Sequence, residues 1–386
     1  MILYEYEGKE LLAKAGVKVP RSQLLTSPDE KISRPFPVVL KAQVLSGKRA
    51  QAGGIVIVED RSAVERGLDE MLKKSINGEK VEKILVEEKV DIAKEFYVSI
   101  LYDTDTRSPL LSISESGGTG IEERGVTTSG INILDRSTAK SDLIDARVLG
   151  SLIELFFSMD CTLLEINPLV LTKTNTWIAL DAKVKLDDDA KSRHKDWVYP
   201  QRLPSGKVPT QREIDAKKID EGDHRGTAGS TYFELDGDIA VLSSGGGVSL
   251  SAMDALIAVG GKPANFTEYS GNPPKEKVVK LTKIVLSKPK ISGLWVVGTV
   301  AANFTDIYET LSGLIEGLRE AQTELGKKFD FPIVIRRGGP RDTEAFEMLR
   351  QVKDFNLTLQ GEEVSIASSA KIMADLAHAY ATHSQS

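Results

Sequence analysis

The alternation of apolar and polar positions divides the chain into two parts. Up to residue 186, short runs rich in β-branched residues are separated by glycine, proline and polar clusters, which is typical of strands joined by turns. Helices are expected where apolar residues recur at helical spacing, over 4–15, 62–75 and 140–158. Strands are expected over 36–44, 55–60, 83–90, 95–103, 109–114, 161–172 and 176–184, the last two as a hairpin.

From residue 238 the pattern changes to strand–loop–helix units. The strand DIAVLSSGGG precedes VSLSAMDALIAVG, GLWVVGTVAANFT precedes DIYETLSGLIEGLREA, and FPIVIRRGGP precedes RDTEAFEMLRQV. Strands that alternate with helices form parallel, doubly wound sheets. The second part is therefore predicted to be a flavodoxin-like or Rossmann-like α/β domain.

Residues 187–229 separate these two parts and have little apolar periodicity. Several prolines and the runs DDDAK, RLPSGK and EGDHRGTAGS are typical of a linker, with one short helix expected near 210–219. The predicted domains are thus 1–229, which includes the linker, and 230–386.

The composition argues against several classes of protein. A chain of 386 residues is too long for one ordinary core, and 41% hydrophobic with 27% charged residues is a globular profile. The net charge of −6 argues against a nucleic-acid binder. The single cysteine, Cys161, excludes an internal disulfide and is expected in the core. Since there is no signal-peptide pattern and no apolar run of about 20 residues, we expect a cytoplasmic protein.

Charged residues at strand ends favour a nucleotide site in the first part. Lys41 ends the strand VVLK just before the loop GKRAQAGG, whose backbone N–H groups can approach phosphate oxygens. Glu87 ends the strand ILVE, where it can accept from a nucleotide hydroxyl or amine, and Glu95 opens the next strand. The alternative is that both glutamates are solvated at strand ends.

Oxygen-bearing side chains on the predicted hairpin suggest a magnesium site. Glu165 and Asn167 are two apart, so they face the same side of a regular strand, and the hairpin partner carries Asp181. Asn167 and Asp181 can converge as ligands for Mg²⁺, which keeps waters and bridges substrate phosphates. The alternative is a polar outer face of the hairpin.

Four strand ends of the second part carry groups suited to an anion, and parallel sheets bind ligands at the carboxyl ends of their strands. A glycine turn directly before a helix favours a carboxylate through its free N–H groups and the helix dipole. Each loop alone is also explained as a helix cap or a turn. Together they favour a polyanionic ligand; the residues are Gly246 and Gly247, Gly271, Asn303 with Thr305, and Arg336 with Arg337.

The motifs KAQVLSGKRAQAGG, ILVEEKVDIAKE, ESGGTGIEE and LLEINPLV…LDAK resemble, in order and spacing, the ATP-grasp domain of succinyl-CoA synthetase β subunits and ATP-citrate lyases. The resemblance implies that ATP is bound, that Asn167 and Asp181 hold Mg²⁺, and that Glu165 lies where a phosphohistidine is presented. The nucleotide contacts that it implies are Lys41, Lys48, Arg49, Glu87, Val90 and Glu95, although Lys48 stands where succinyl-CoA synthetases often have glycine.

Three motifs of the second part, EYSG, ANFT and RRGGP, look like the citrate-binding loops of ATP-citrate lyases. Succinyl-CoA synthetases usually carry different residues at the last two. A tricarboxylate needs more hydrogen-bond donors than a dicarboxylate, which fits these loops. By similarity, citrate is assigned to Gly246, Gly247, Gly271, Asn303, Phe304, Thr305 and Arg337.

No histidine of the chain lies in a glycine-rich turn like the phosphohistidine loop of these enzymes. His194, His224, His378 and His383 fall in the linker or near the C-terminus, and each is expected at the solvated surface. The resemblance therefore implies a hetero-oligomer with a partner subunit that carries the phosphohistidine and most of the CoA site. The expected reaction forms citryl-phosphate and then citryl-CoA.

Two other functions remain open. One is that of a succinyl-CoA synthetase β subunit, which differs in its acid substrate. The other is that of a non-catalytic metabolite-binding subunit with a degenerate ATP-grasp domain, against which Glu95, Asn167 and Asp181 argue because the set is intact.

Overall fold

The fold comes from a computed structural model that describes residues 1–27, 29–118, 125–136, 141–200, 202, 208–300 and 304–383. The chain forms two compact units, Met1–Val208 and Pro209–Ser386. Within the described residues, no helix is long and apolar enough to cross a membrane.

The first unit contains the strands and helices that the apolar pattern predicts, although the helix expected over 140–158 begins only at Ala146. Its helices are α1 Glu5–Lys14, α2 Arg61–Leu72 and α3 Ala146–Ser158. Its strands are β1 Ser22–Leu25, β2 Val38–Ala42, β3 Ile55–Val58, β4 Ser75–Ile76, β5 Glu79–Lys80, β6 Ile84–Glu88, β7 Ile92–Asp103, β8 Ser108–Ser114, β9 Thr127–Gly130, β10 Cys161–Thr172, β11 Trp177–Ala179 and β12 Lys183–Leu186.

Two antiparallel sheets organise this unit. One has the strand order β1-β6-β2-β3 and packs against α2 through apolar residues such as Leu40 and Leu68. The other has the order β11-β10-β7-β8-β9, with β12 also paired to β10. Its core contains Leu12 of α1, Phe156 of α3 and the thiol of Cys161, which is buried as expected.

The hairpin partner of β10 differs from its prediction. Residues 176–184 were expected as one strand, but β11 ends at Ala179 and β12 begins at Lys183. Between them the carbonyl of Leu180 accepts a hydrogen bond from the Lys41 ammonium, while β10 shifts register against β7 just after Ile166. A polar interaction with another strand therefore interrupts the ladder, which local strand propensity does not reveal.

The second unit has the predicted alternation of strands and helices. Its helices are α4 Gln211–Lys217, α5 Gly246–Ala258, α6 Lys275–Leu286, α7 Ile307–Leu325, α8 Asp342–Gln351 and α9 Ile366–His383. Its strands are β13 Phe233–Glu234, β14 Ile239–Ser244, β15 Asn265–Phe266, β16 Gly293–Gly298, β17 Pro332–Arg336 and β18 Asn356–Gln360.

Its main sheet is parallel, with the order β14-β16-β17-β18, and the segment 263–268 runs parallel beside the outer edge of β14. In order along the chain, these five segments follow the sequence 2-1-3-4-5 across the sheet, which is the flavodoxin-like order. Ligands of such sheets bind where the strand order reverses, here at the carboxyl ends of β14 and β16. The predicted flavodoxin-like domain is confirmed.

The boundary between the units lies earlier than expected. Residues 209–229 were assigned to the first domain, but they pack within the second, where α4 contacts α6. The carboxylate of Asp220 accepts backbone N–H groups of Ala228 and Gly229 and lies 3.2 Å from Lys277 Nζ. The short helix expected near 210–219 is confirmed as α4, and Ala216, Ile219 and Ala228 pack into the core of the second unit. Which unit these few apolar residues pack against depends on tertiary contacts, so the sequence did not place the boundary.

Candidate functional site

In the first unit, Lys41 stands at the centre of a buried group of charges. Its ammonium nitrogen lies 3.0 Å from Glu5 Oε1 and 2.8 Å from Glu87 Oε2. Burial opposes the charged form, but the nearby carboxylates outweigh burial and raise the pKa of Lys41. The neighbouring carboxylates therefore favour a charged ammonium where β2 leads towards the glycine-rich loop.

The two basic residues of that loop have different environments. Arg49 is buried, and its Nη2 lies 2.5 Å from Glu5 Oε2 and 3.0 Å from Asp181 Oδ1. Burial opposes its charge, yet Asp181 and Glu5 raise the pKa of Arg49. Lys48 is exposed and has a left-handed backbone, with φ 57°. Only Arg49 belongs to the buried charge group.

Two members of this group, Glu5 and Lys9 of α1, were not predicted. Lys9 Nζ lies 2.7 Å from Glu5 Oε1 and also pairs with Glu87. Burial acts to raise the pKa of Glu5, but Arg49, Lys41 and Lys9 outweigh it and hold that pKa well below its ordinary range. The available signal was spacing, since Glu5 and Lys9 share one helix face with the buried Leu12.

The alternative interpretation of the strand ends required a solvated Glu87, and the structure shows that Glu87 is not solvated. It is 1% exposed, and its carboxylate pairs with both Lys9 and Lys41. Glu95 and Val90, by contrast, are half-buried at the start of β7 and in the turn before it. The predicted nucleotide contacts thus comprise a buried charged group and a more open strand end.

The residues assigned to magnesium lie on adjacent backbone segments. From Leu163 onward, β10 keeps the same antiparallel register with β12 and with β11, and this register continued across the unpaired residues 180–182 would place Asn167 opposite Asp181. Directly opposed side chains share a face of the sheet. Asn167 Oδ1 accepts the Gly118 N–H at 2.7 Å, and Asn167 Nδ2 donates to the Gly118 carbonyl at 3.1 Å.

This pair of oxygen donors fits Mg²⁺. Asp181 keeps 34% of its side chain exposed and Asn167 is half-buried, so neither is sealed in an apolar core. Among the described residues no group of three or more His, Cys, Asp or Glu side chains is placed to hold a metal ion. Mg²⁺ is commonly bound by one or two protein oxygens together with waters and substrate phosphates. Glu165 lies nearby on β10, paired across the sheet with Ser99 and Lys183.

In the second unit, the two adjacent arginines at the end of β17 have different environments. Arg336 Nη1 donates to the Gly298 carbonyl at 2.7 Å and its Nε to the Val364 carbonyl at 2.8 Å. Burial and the neighbouring Arg337 lower the pKa of Arg336. Arg337 is fully buried, and none of its guanidinium nitrogens has a hydrogen-bond partner in the described part of the chain.

A buried guanidinium without an acceptor is costly, because desolvation of a charge is offset only by pairing or hydrogen bonding. The ring of Tyr269 lies 5.6 Å from the Arg337 Cζ, which offers its electron-rich face but no anion. The arrangement suits an anionic ligand at the carboxyl edge of the parallel sheet.

The glycine turn before α5 lies at the same edge. Gly245 is the N-cap with φ 93°, and Gly246 and Gly247 are exposed with open space around them. Unexpectedly, the Gly245 N–H donates to Oε1 of Glu268 at 3.1 Å. Glu268 is only 9% exposed, so the helix terminus already lies beside a carboxylate of the chain. The motif EYSG contained this residue, but only its glycine was assigned.

The remaining loops are linked to one another. Gly271 has φ 70°, which requires glycine, and Asn272 Oδ1 accepts the Asp306 N–H at 3.0 Å. Thr305 is buried, whereas Phe304 is 68% exposed. Asn303 and residues 119–123 of the ESGGTGIEE motif lie outside the described residues. The helix cap of α7 is Asp306, so capping does not account for Thr305.

Comparisons with known proteins agree with this division into two functional parts. Residues 2–129 match the model of an ATP-grasp domain, and residues 210–374 match the model described as ATP citrate lyase citrate-binding. A succinate–CoA ligase [ADP-forming] subunit β of Methanocaldococcus jannaschii is 34% identical over 342 residues, which are 83% of this chain and 88% of that protein. The corresponding subunit of Desulfurococcus amylolyticus is 34% identical over 375 residues, 90% of this chain and 93% of that protein.

The chain belongs to the ADP-forming succinate–CoA ligase β-subunit family.

This β-type subunit also shares its fold with a chain of ATP citrate lyase. A structure of ATP citrate lyase from Methanothrix soehngenii, in complex with citrate and coenzyme A, superposes with a TM-score of 0.77 over 97% of this chain and 99% of that one. The sequence identity is 24%, so this likeness establishes the fold. Its ligase-type family is shown by the curated relatives, and its ATP-grasp match covers residues 2–129.

The histidines of the β-type subunit include one exception to the expected surface positions. His224 and His378 are exposed. His194 instead pairs with Asp160 at 2.7 Å and stacks on Trp197 with ring centroids 4.2 Å apart. An imidazole held between a carboxylate and an indole is a packed structural group, and the expectation of solvation was wrong for it.

Proposed function

We propose that this subunit binds Mg-ATP and citrate and contributes both to the formation of citryl-CoA, with ADP and phosphate as the other products. The observation that carries the proposal is Arg337, a buried guanidinium without a hydrogen-bond acceptor at the sheet edge. A bound carboxylate would provide the missing acceptor in two-point geometry.

A tricarboxylate is favoured over a dicarboxylate by the number of donors at this edge. The guanidinium of Arg337 has five N–H groups, and the α5 turn at Gly246 and Gly247 adds free backbone N–H groups. Thr305, buried at 4% exposure, adds a hydroxyl. A trianion satisfies more of these donors than succinate, and each unsatisfied buried donor costs about 1–3 kcal/mol.

For the nucleotide, Lys41 and Arg49 are buried cations at the glycine-rich loop and at the end of the strand before it. Their present partners include Glu5, so phosphate oxygens would share or replace that carboxylate. Asn167 and Asp181 would hold Mg²⁺, which when bound neutralises phosphate charge. Catalysis of phosphoryl transfer is mainly positioning and charge stabilisation, which these side chains are suited to provide.

The reaction would proceed in three displacements. The γ-phosphoryl group of ATP passes to an imidazole nitrogen of the partner subunit, and ADP leaves. A carboxylate oxygen of citrate then takes the phosphoryl group and releases the imidazole. Finally the thiolate of CoA, bound mostly by the partner, attacks the acyl carbon and releases phosphate. Glu165, on the strand of Asn167, would face the incoming imidazole.

The second candidate substrate is succinate, because curated relatives at 34% identity are named succinate–CoA ligases. ADP formation by the chain reconstituted with a phosphohistidine-bearing partner separates the two acids. We expect citrate-dependent release of ADP; turnover with succinate and none with citrate would reverse the assignment.

Calorimetric titration of the purified chain tests the acid site directly. We expect citrate to bind at least about tenfold more tightly than succinate, and Arg337→Ala to lose most of the citrate affinity. Arg319→Ala is the matched control, since Arg319 is 56% exposed and pairs with Asp354 on the surface. Citrate affinity that is unchanged in Arg337→Ala would refute the assignment.

A further inference from the structure

The last residue of β16, Gly298, lies directly against Arg337. A Cβ built on Gly298 would be 1.7 Å from Arg337 Nη1 and 2.8 Å from Cζ. Real Cβ atoms do not approach other heavy atoms closer than about 3 Å, because repulsion rises steeply inside van der Waals contact. The guanidinium therefore occupies the volume that any side chain at position 298 would fill.

The backbone conformation does not account for glycine at this position. Gly298 does not have a positive φ, and it lies in a regular parallel strand, where it is paired with Ser244 of β14. A glycine inside a strand often marks a site where another group approaches the backbone closely. Here that group is Arg337.

The backbone of Gly298 is also held in place from its other side. Arg336 Nη1 donates to the Gly298 carbonyl at 2.7 Å, and the strand is paired with both β14 and β17. The strand cannot retreat without breaking these bonds. A new side chain at 298 would therefore displace the end of the flexible Arg337 side chain rather than the backbone.

This contact lies at the point where the strand order of the sheet reverses. Gly298 and Ser244 end strands β16 and β14, and the Thr299 N–H donates to the Ser244 carbonyl at 3.2 Å. The α5 glycine turn begins at the next residue, Gly245. Arg337 thus extends across Gly298 towards the crevice where flavodoxin-like sheets bind ligands.

We propose that Gly298 positions Arg337 for binding of the acid substrate. Its missing side chain makes the space in which the Arg337 guanidinium faces the ligand, and any larger residue there removes the guanidinium from the site. The inference rests on the proposed function, because it assumes that Arg337 contacts the carboxylate. Gly298 acts through Arg337 and is a positioning residue.

A double-mutant cycle on the purified chain tests this inference, with citrate and succinate affinities measured by calorimetry. Gly298→Ala is expected to weaken citrate binding about 10- to 100-fold, the loss of a charge-assisted bidentate contact. Arg337→Lys keeps the charge but removes the forked nitrogen that meets position 298. In that background Gly298→Ala is expected to change citrate affinity by less than about threefold, since the two effects are coupled.

Two further variants control for the added methyl group and for loss of folding. Gly150→Ala adds the same methyl group in open space on α3 and is expected to leave citrate affinity unchanged. The double variant Gly298→Ala with Arg337→Lys removes the overlap between the new methyl group and the guanidinium. It is therefore expected to fold even where Gly298→Ala alone is destabilised.

Each outcome decides one of the two ideas. The role of Gly298 is overturned if Gly298→Ala binds citrate as tightly as wild type. It is also overturned if Gly298→Ala loses citrate affinity equally with Arg337 and with Lys at position 337. Either result leaves the proposal of citrate binding intact. Wild type binding succinate but not citrate overturns the proposed substrate, and the same cycle read with succinate then decides the role of Gly298. Binding of neither acid overturns both.

Discussion

The Gly245 N–H donates to Oε1 of Glu268 across 3.1 Å, so a carboxylate of the chain lies at the amino terminus of α5. Helix amino termini favour negative charge, and Glu268 interacts with the same dipole as the proposed ligand. A bound trianion would therefore experience repulsion from this buried side chain.

We expect Glu268→Gln to tighten citrate binding about three- to tenfold at low ionic strength, because the amide keeps an acceptor for Gly245 and removes the negative charge. Calorimetry at increasing salt checks the cause, since an electrostatic gain shrinks as screening increases. Glu347→Gln, an exposed change of equal charge on α8, is the control. Weaker binding in Glu268→Gln would mean that the carboxylate accepts a hydrogen bond from the ligand.

Arg337 is expected to lower the free energy of unfolding of the ligand-free chain, although it contributes to citrate binding. Replacing it by leucine removes a buried charge without an acceptor, so Arg337→Leu should raise the free energy of unfolding in the absence of ligand. The same variant should no longer be stabilised by added citrate, which stabilises only a chain that binds it. Urea denaturation with and without citrate measures both effects.

Arg336, unlike Arg337, is expected to increase the stability of the folded chain. Its guanidinium donates to the buried carbonyl of Gly298 and the half-buried carbonyl of Val364, and Arg336→Leu removes both of these hydrogen bonds. We expect this variant to lose about 1–3 kcal/mol of unfolding free energy. Equal stabilities of the Arg336→Leu and Arg337→Leu variants would contradict the distinction between the two arginines.

The buried charges of the first unit predict a pH dependence of stability. The pKa of Glu5 is well below its ordinary value of 4.5 because Arg49, Lys41 and Lys9 outweigh its burial. As the pH falls below 4.5, the unfolded chain binds a proton before the folded chain does. The contribution of Glu5 is therefore complete above that pH and is lost as the pH falls towards the folded pKa.

Glu5→Gln is expected to make the unfolding free energy less dependent on pH in this acidic range. Urea midpoints measured from neutral pH down to the acid limit of folding give the two slopes. Glu10→Gln, an exposed carboxylate of the same helix, is expected to keep the wild-type slope. A Glu5→Gln slope as steep as that of wild type would exclude Glu5 as the source.

Labelling of the Cys161 thiol measures how readily the core of the first unit opens, and it requires no mutation. Burial, with Asp160, raises the pKa of this thiol to about 12, and the chain has one cysteine. At about pH 8 we expect almost no reaction with a disulfide reagent in the folded chain and rapid reaction in guanidinium chloride, since the thiolate is the nucleophile. Rapid labelling of the folded chain would show that this core opens readily.

Much of the secondary structure followed from the sequence because its cause is local. Strand β10 and its core residues, including Leu164 and Leu169, follow from β-branched and leucine-rich alternation. The same reasoning failed for 180–182, where the Leu180 carbonyl bonds to Lys41, 139 residues away. For residues 209–229 it predicted the short helix α4 correctly but assigned the segment to the wrong unit, because its few buried apolar residues pack against the second unit.

Taken alone, the sequence determined which chemical groups end the strands and in what order, since strand periodicity and glycine turns are properties of neighbouring residues. Only the tertiary structure decided that Glu5 and Lys9 join the buried charge group of Lys41, and that Arg337 rather than Arg336 has no hydrogen-bond acceptor among the described residues. The reason is that pairing and burial of a charge depend on segments far apart in the chain, which no local pattern encodes.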